Sequence, residues 1–308
     1  MTNKIVAIQG NHPSKLNPKF DTSIFLANEI QNKNYKIFYY LPKDLSIINR
    51  KVIANGFFIK FDYNKKKKFE ILKKQKLNLN KSKFILIRQD PPFNLEYIST
   101  LYILDNIKDK VKIINDPTSI RNVSEKLYSS KYQKFMPNTI FTQNINEIKR
   151  FFKNYKNIVL KPIHSHGGND IHLLKKFDLR FINKFLKKHG HIMCQKFLSK
   201  ISNGDKRVFL INGKICGVIS RTPKKGSFLS NMSKGAKPFN TSLTKLEKKI
   251  SKIVAQDLKK EKIFFAGIDF IDGKLNGDIN VTSPTGLKTL YDLSAVNLAK
   301  VFWKELRA

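Results

Sequence analysis

Acidic residues are scarce in this 308-residue chain: 23 Asp and Glu stand against 59 Lys and Arg, giving a formal charge of +36. Such an excess is compatible with a nucleic acid, a membrane surface or an anionic substrate as partner. The lysines, however, run along the whole chain beside abundant Asn and Ile, as an AT-rich coding sequence would produce, instead of concentrating in one segment. No zinc-ligand spacing, RNP-like aromatic motif or helix-turn-helix signal accompanies them, so no specific nucleic-acid partner is expected. Cysteine is rarer still, with two residues. Cys194 and Cys216 both fall in strand-like runs, where a buried free thiol is the default, and a reducing cytoplasm fits best. No apolar run approaches the roughly 18 residues of a membrane span, so no membrane partner is expected. The short apolar run at residues 5–8 lacks a signal-peptide pattern and reads as a first strand. What remains, 41% hydrophobic and 11% aromatic residues, is enough for one large domain or two to three smaller ones with real cores.

The first 115 or so residues alternate strand and helix, the pattern of a parallel α/β sheet. Strands are predicted at 5–8, 35–41, 57–61, 84–87 and 111–114, with helices at 22–31 and 95–107. The lysine-rich stretch 64–76 places Phe69, Leu72 and Ile71 near one helical face and reads as a solvated helix. The unbroken run Phe84-Ile85-Leu86-Ile87 suits a central strand buried on both faces. It leads into Arg88-Gln89-Asp90-Pro91-Pro92, a loop at the carboxyl end of a strand, where open α/β sheets bind ligands. Asp116-Pro117 opens a further helix as N-cap and first helical residue.

Beyond this point strands are expected at 139–140, 157–160, 171–174 and 191–198, with a helix at 145–153. The segment between Leu160 and Ile171 carries Gly167-Gly168 and reads as a flap whose backbone N–H groups can cover phosphates. A hairpin turns at Asn212-Gly213 between strands 206–211 and 214–220. Residues 222–241 show no period and read as a long loop, the length typical of a lid. An amphipathic helix at 242–258 and a closing helix at 294–306 complete the prediction. Between them Asp269, Asp278 and Asn280 sit on or beside apolar runs, with Asp278 and Asn280 two apart and so on one face of a strand. Two carboxylates and an amide oxygen on neighbouring strands make a hard-oxygen site suited to magnesium with nucleotide phosphates. The plain alternative is a pair of exposed loop aspartates around Asp272-Gly273-Lys274.

The order of the parts is distinctive. Arg88-Gln89-Asp90-Pro91-Pro92-Phe93, Asn115-Asp116-Pro117-Thr118-Ser119-Ile120-Arg121-Asn122, a helix bearing Glu125-Lys126-Leu127, Leu160-Lys161-Pro162, Gly204-Asp205-Lys206-Arg207-Val208 and Ile279-Asn280-Val281-Thr282-Ser283-Pro284-Thr285 follow one another. As a set the sequence resembles the ATP-grasp ligases, and among them the prokaryotic glutathione synthetases. The resemblance implies an α/β protein of ATP-grasp fold: an N-terminal parallel α/β domain over 1–120, then two α+β subdomains, 121–195 and 196–308, enclosing ATP, with the lid at 222–241. It implies ATP as cosubstrate and one or two magnesium ions, with manganese as a substitute. It also implies γ-glutamylcysteine and glycine as small-molecule partners, and leaves a homo-oligomer open.

The resemblance further assigns roles. Lys126 and Lys161 hold phosphates, Gly167 and Gly168 cover them, Gln195, Lys196, Phe197 and Leu198 meet the adenine, and Asp205 lies on the nucleotide side. Arg207 and Arg221 stabilise charge on the acyl phosphate and the tetrahedral intermediate, while Asp269, Asp278 and Asn280 carry the metal. Arg88, Asn231, Ser283 and Thr285 are the implied substrate contacts. The chain departs from the pattern at several places. Asp278 replaces a Glu, and one extra residue separates it from Asp269, which implies a longer turn at Gly273 or Gly277. Gln89 replaces Lys, His164-Ser165-His166-Gly167-Gly168 replaces Asp-Gly-Met-Gly-Gly, and Leu229-Ser230-Asn231 opens a lid that usually reads Arg-Gly-Asn-Leu-Ala-Ala-Gly-Gly-Arg. The alternatives are a related carboxylate–amine ligase with another peptide acid or amine, and a non-catalytic ATP-binding protein.

Overall fold

The computed structural model describes residues 4–18, 20–62 and 69–308. Its first sheet contains β1 (Ile5–Gly10), β2 (Lys36–Ile48), β3 (Lys51–Phe61), β4 (Phe69–Asn78), β5 (Phe84–Arg88) and β6 (Lys112–Ile114), in spatial order β4-β3-β2-β1-β5-β6. The strands β2, β1, β5 and β6 are mutually parallel, as expected, whereas β3 and β4 extend one edge antiparallel. Every residue of β5 is buried, which suits its unbroken apolar run between β1 and β6. Helix α1 (Thr22–Gln31) starts at Asp21, whose carboxylate accepts from Ile24 N at 2.8 Å, and α2 (Leu95–Asp105) starts at Asn94 in the same way. Of the helix expected at 64–76, residues 64–68 lie outside the described residues, and 69–76 are strand instead, within β4, which pairs with β3 from Phe61↔Phe69 to Ile53↔Asn78. At a sheet edge, one exposed side tolerates lysines as well as a helix surface does.

Helix α3 (Pro117–Asn122) is capped by Asp116, as the sequence predicts. The Glu125-Lys126-Leu127 segment is a turn leading into a 3₁₀ stretch at Leu127–Phe135, not an α-helix. The second sheet, β7-β10-β8-β9, is antiparallel and consists of β7 (Thr139–Thr142), β8 (Ile158–Pro162), β9 (His172–Leu174) and β10 (Ile192–Lys196). Helices α4 (Ile145–Tyr155) and α5 (Leu179–His189) cover one face, packing Ile148, Phe151, Ile182 and Phe185 over Leu160 and Ile192. Helix α5 is not among the expected elements, although Asp178 as N-cap and the spacing Ile182, Phe185, Leu186 mark it.

The third sheet runs β13-β12-β11-β14-β15, with β11 (Asp205–Ile211), β12 (Lys214–Thr222), β13 (Lys237–Asn240), β14 (Phe265–Ile271) and β15 (Lys274–Asn280). The turn Asn212-Gly213 has φ of 49° and 75°, the left-handed pair that a two-residue hairpin requires. The expected long loop ends early, because Lys237–Asn240 pairs with β12 as β13. Helix α6 (Lys245–Lys260) begins with a capping box between Thr244 and Glu247 and buries Ile250, Val254 and Leu258 against the sheet. The single closing helix becomes two, α7 (Leu287–Ser294) and α8 (Leu298–Glu305), so Ser294 ends a helix instead of opening one.

Two contacts fix the sheets together. Trp303 of α8 packs in the core of the first sheet and donates Nε1–H to Leu26 O at 2.8 Å. Asn115, just after β6, donates Nδ2 to Phe265 O at 2.8 Å and Val281 O at 2.7 Å, while its Oδ1 accepts from Phe264 N and Phe265 N. A buried amide with four partners thus holds the first sheet against β14 and the end of β15.

Candidate active site

An open-sided cavity lies between the second and third sheets, its walls drawn from both. The second sheet contributes Val159 and Lys161 of β8, the flap residues Ser165 to Gly168, and Gln195 to Leu198 at the end of β10. The third sheet contributes Asp205 and Arg207 of β11, Arg221 of β12, Asp269 and Ile271 of β14, and Asn276, Asp278 and Asn280 of β15. Phe228, Leu229, Ser230 and Asn231 close it from the 222–236 segment. Fifteen sequence-predicted residues therefore share one wall or another of this cavity, Lys126 among them; Arg88, Ser283 and Thr285 do not line it.

Charge at the cavity is arranged in two groups. Lys126 and Lys161 flank Asp278, with ammonium-to-carboxylate distances of 3.8 and 3.6 Å. Lys126 also donates to Ser165 O at 2.6 Å, tying itself to the flap, and Lys161 donates to Asn276 O and Oδ1 at 2.9 and 3.0 Å. Burial pulls the Lys161 ammonium below its ordinary pKa despite Asp278, and the neighbouring Lys126 lowers it further. In the second group Arg207 forks onto Asp269, with Nη2 at 2.7 Å from Oδ2 and Nε on Oδ1. Arg221 forks onto Asp205 at 2.8 and 2.5 Å and reaches Asp269 Oδ2 at 3.2 Å. Burial raises Asp269, but the two guanidinium groups outweigh it and hold the carboxyl at about 2. The arginines are thus buried in a satisfied network rather than paired on the surface. Asp205, expected on the nucleotide side, has its carboxylate engaged by Arg221 and Ser230, so its position serves the arginine.

Val159, Phe197, Leu198, Ile201, Phe228 and Ile271 make an apolar slot on the far side, with Phe197 and Phe228 edge-to-face at 6.2 Å. A flat aromatic base fits such a slot. The amides of Lys196 and Phe197 donate to Asn138 O and Asn157 O, so they are not the groups that would meet a base. Gln195 points its Nε2 at Thr139 Oγ1, 3.0 Å away. On the flap, Gly167 and Gly168 have φ of 62° and 77°, and a Cβ on Gly168 would stand 2.6 Å from Asn231 Oδ1. Glycine at 168 therefore lets the lid approach the flap.

The oxygen donors fit a hard divalent cation. Asn280 donates Nδ2 to Gly267 O at 3.1 Å, which leaves Oδ1 as its donor atom for a metal. Asp269 accepts from Arg207 twice and from Arg221 once, so one of its roughly four lone-pair positions remains. Five cationic side chains and four carboxylates line the cavity, a balance too even to neutralise a triphosphate without added positive charge. The irregularity between Asp269 and Asp278 lies at Asn276–Asp278, not at the Gly273 turn. The turn Asp272-Gly273 is tight, with Ile271 opposite Lys274, and β15 bulges between Leu275 and Ile279 opposite Asp269.

Outside the cavity, Arg88 donates Nε to Ser23 Oγ at 3.0 Å and Nη2 to Pro284 O at 2.9 Å, while Ser283 Oγ donates to Arg88 O at 3.4 Å. Arg88 and Ser283 thus meet at the junction of β5 with the turn after β15, and Thr285 is exposed beside them. A smaller pocket lined by Phe93, Glu125, His164, Ser165, His166 and Thr282 adjoins the main cavity and shares Glu125, Ser165 and His166 with it. Sequence reasoning missed Glu125, Asn276, Ser230 and Phe228. Glu125 carries a signal in its motif; its Oε1 accepts from Val281 N, Thr282 N and Thr282 Oγ1, fixing the chain beyond Asn280. The others became visible only with the third sheet's register.

The sequence pattern of the prokaryotic glutathione synthetase ATP-grasp domain matches residues 125–295, and that of the N-terminal domain matches residues 5–121. The glutathione synthetase of Bradyrhizobium diazoefficiens is 32% identical over 302 residues, spanning 97% of this chain and 96% of the relative. That of Buchnera aphidicola subsp. Baizongia pistaciae is 34% identical, spanning 95% of this chain and 92% of the relative. Among solved structures, the D-alanyl-alanine synthetase A of Vibrio cholerae superposes with TM-score 0.62 at 16% identity over 100% of both chains. The ATP-grasp ligase PsnB, solved with Mg and ADP, gives TM-score 0.65 at 10% identity over 99% of both, a likeness of fold. The two-sheet cavity is that of the ATP-grasp fold, and this chain belongs to the prokaryotic glutathione synthetase family.

Proposed function

We propose that the chain is an ATP-dependent carboxylate–amine ligase that joins γ-glutamylcysteine to glycine, releasing glutathione, ADP and phosphate. The observation that carries this reading is the convergence of Lys126, Lys161, Arg207 and Arg221 with Asp269, Asp278 and Asn280 in one cavity of a glutathione synthetase family member. In such a reaction a carboxylate oxygen attacks the terminal phosphorus of ATP and ADP leaves. The amine then attacks the acyl carbon, and phosphate departs as the amide forms.

Each residue has a part that its contacts support. Lys126 and Lys161, buried point charges held by Ser165 and Asn276, are placed to grip phosphate oxygens. Arg207 and Arg221, fixed by Asp269 and Asp205, present preorganised positive charge where the acyl phosphate and tetrahedral oxygen build up negative charge. The Gly167-Gly168 flap and the 228–231 segment border that space, where they would shield it from water. Asp269, Asp278 and Asn280 are the residues that would hold magnesium, or manganese in its place, and the ion supplies charge neutralisation of the phosphates. Arg88, with Ser283 at the carboxyl end of β5, is our candidate anchor for a substrate carboxylate, which would displace the Pro284 carbonyl. No helix among the described residues is long and apolar enough to cross a membrane. Two free cysteines, with burial raising Cys194 to about 12, support a cytoplasmic setting.

The test is phosphate release by purified protein with ATP, magnesium, γ-glutamylcysteine and glycine. Release that requires both acid and amine is expected. Absence of release with this pair, alongside release with a different acid or amine, would replace the substrate assignment.

A further inference from the structure

Residues 229–231 of the lid touch both walls of the cavity. On the flap side, a Cβ added to Gly168 would stand 2.6 Å from Asn231 Oδ1 and 3.6 Å from Leu229 Cδ1. On the opposite side, Ser230 is buried and donates its hydroxyl to Asp205 Oδ2. Asp205 is the carboxylate that fixes Arg221, and Arg221 in turn reaches Asp269 Oδ2 at 3.2 Å. One lid hydroxyl therefore heads a continuous polar chain that runs through Asp205 and Arg221 to Asp269. Glycine stands at the Ser230 position in the lid pattern that this chain resembles, and glycine has no hydroxyl with which to make this link.

We infer that Ser230 is a positioning residue for the ligase reaction, locking the closed lid onto Asp205 so that water is excluded while Arg221 is held in place. The inference rests on the ligase reading and deepens it. Water that enters before the amine attacks converts the acyl phosphate back to the free acid and phosphate, so ATP is consumed without an amide. A hydrogen bond to a buried carboxylate is charge-assisted, and its loss loosens the lid without removing a group that touches the reacting atoms. Leu229 and Asn231 continue to meet the flap, so the cavity itself persists.

Two measurements on the full-length protein test this, with Ser230→Ala and Ser230→Thr beside the wild type. The first is phosphate released per amide formed; the second is the rate of tryptic cleavage after Lys224 and Lys225. Ser230→Ala is expected to raise phosphate per amide severalfold and to speed lid cleavage about tenfold, the factor one such hydrogen bond carries. Ser230→Thr, which keeps the hydroxyl, is expected to restore both. Unchanged stoichiometry in Ser230→Ala overturns the inference, whether or not cleavage accelerates, since the lid would then move without consequence for the reaction. Failure of Ser230→Thr to rescue while folded likewise assigns the effect to packing and overturns it. If the wild type releases no phosphate with acid and amine, the ligase reading fails instead. Equal lid cleavage in wild type and Ser230→Ala would then overturn the latch separately.

Discussion

Lys161 Nζ stands 3.6 Å from Asp278 Oδ2 while donating to the backbone and side-chain oxygens of Asn276 on the same strand. The lysine of one sheet thus docks on β15 of the other, across the cavity. Replacing it with alanine removes the proposed phosphate contact and also uncouples the two walls. Lys161→Ala is expected to lower kcat/KM for ATP by about 100-fold or more. Steady-state ADP formation measures this, and near-wild-type turnover would take Lys161 out of the site.

The same burial gives a pH signature. Desolvation lowers the Lys161 pKa, and the Lys126 charge lowers it further against the pull of Asp278. In the free protein the ammonium therefore loses its proton at a lower pH than an ordinary lysine, and phosphate binding fails with it. The profile of kcat/KM for ATP should fall on an alkaline limb that begins below the usual lysine range. For stability the sign is opposite: the unfolded chain holds the extra proton, so this group's burial cost fades as pH rises through the window between folded and unfolded values. Lys161→Arg, which stays protonated, is expected to abolish the alkaline limb even if its absolute rate is low. A limb unchanged in that variant would assign it to another group.

Arg207 and Asp269 are directly opposed across β11 and β14, and both are buried. Removing Arg207 strips the buried Asp269 of its fork and leaves it only the 3.2 Å contact from Arg221. Arg207→Ala is expected to abolish amide formation and to cost about 3–5 kcal/mol of stability. Urea denaturation followed by circular dichroism measures the second effect. A loss of activity with unchanged stability would mean that Asp269 finds Arg221 sufficient.

Asn115 should behave as a purely structural residue. Its four hydrogen bonds to Phe264, Phe265 and Val281 satisfy buried backbone groups that have no other route to water. Asn115→Ala is expected to destabilise the protein by about 2–4 kcal/mol, with a KM for ATP close to wild type at temperatures where the variant is folded. Thermal melts and kinetics on the same sample separate the two.

Much of this architecture is written locally. The unbroken run at Phe84–Ile87, the Asp116-Pro117 cap and the Asn212-Gly213 turn each carry their own signal, and each forms as read. The stretch at 69–76 does not, because an edge strand with one exposed side and a solvated helix can share the same residues. Only Phe61↔Phe69 and the pairs that follow decide between them. Helix α7 was hidden for a related reason, since it starts at Gly286 in a left-handed conformation with no side-chain cap to announce it. At the site, the motif residues were legible but their partners were not. That Asp205 and Asp269 hold arginines, and that Ser230 reaches Asp205, depends on strand register and lid placement between residues distant in sequence.

The bulge in β15 makes the shortened carboxylate at 278 testable as a compensated pair. Ile268 faces Ile279 and Phe270 faces Leu275, so Asn276, Gly277 and Asp278 together lie opposite the single residue Asp269. The extra backbone displaces Asp278, and at Gly277 φ is 84° with the Met136 and Met193 methyls 2.8 Å from where a Cβ would stand. The shorter side chain on this displaced backbone reaches Lys126 and Lys161 at 3.8 and 3.6 Å, and a glutamate there would set its carboxylate elsewhere relative to the two lysines. Asp278→Glu alone, and deletion of Gly277 alone, are each expected to lower ADP formation about tenfold or more. Combined, they should recover activity beyond what independent effects allow, because the longer side chain then meets the straighter strand. A double variant no better than the product of the two single losses would show that the bulge and the shorter acid are unrelated changes.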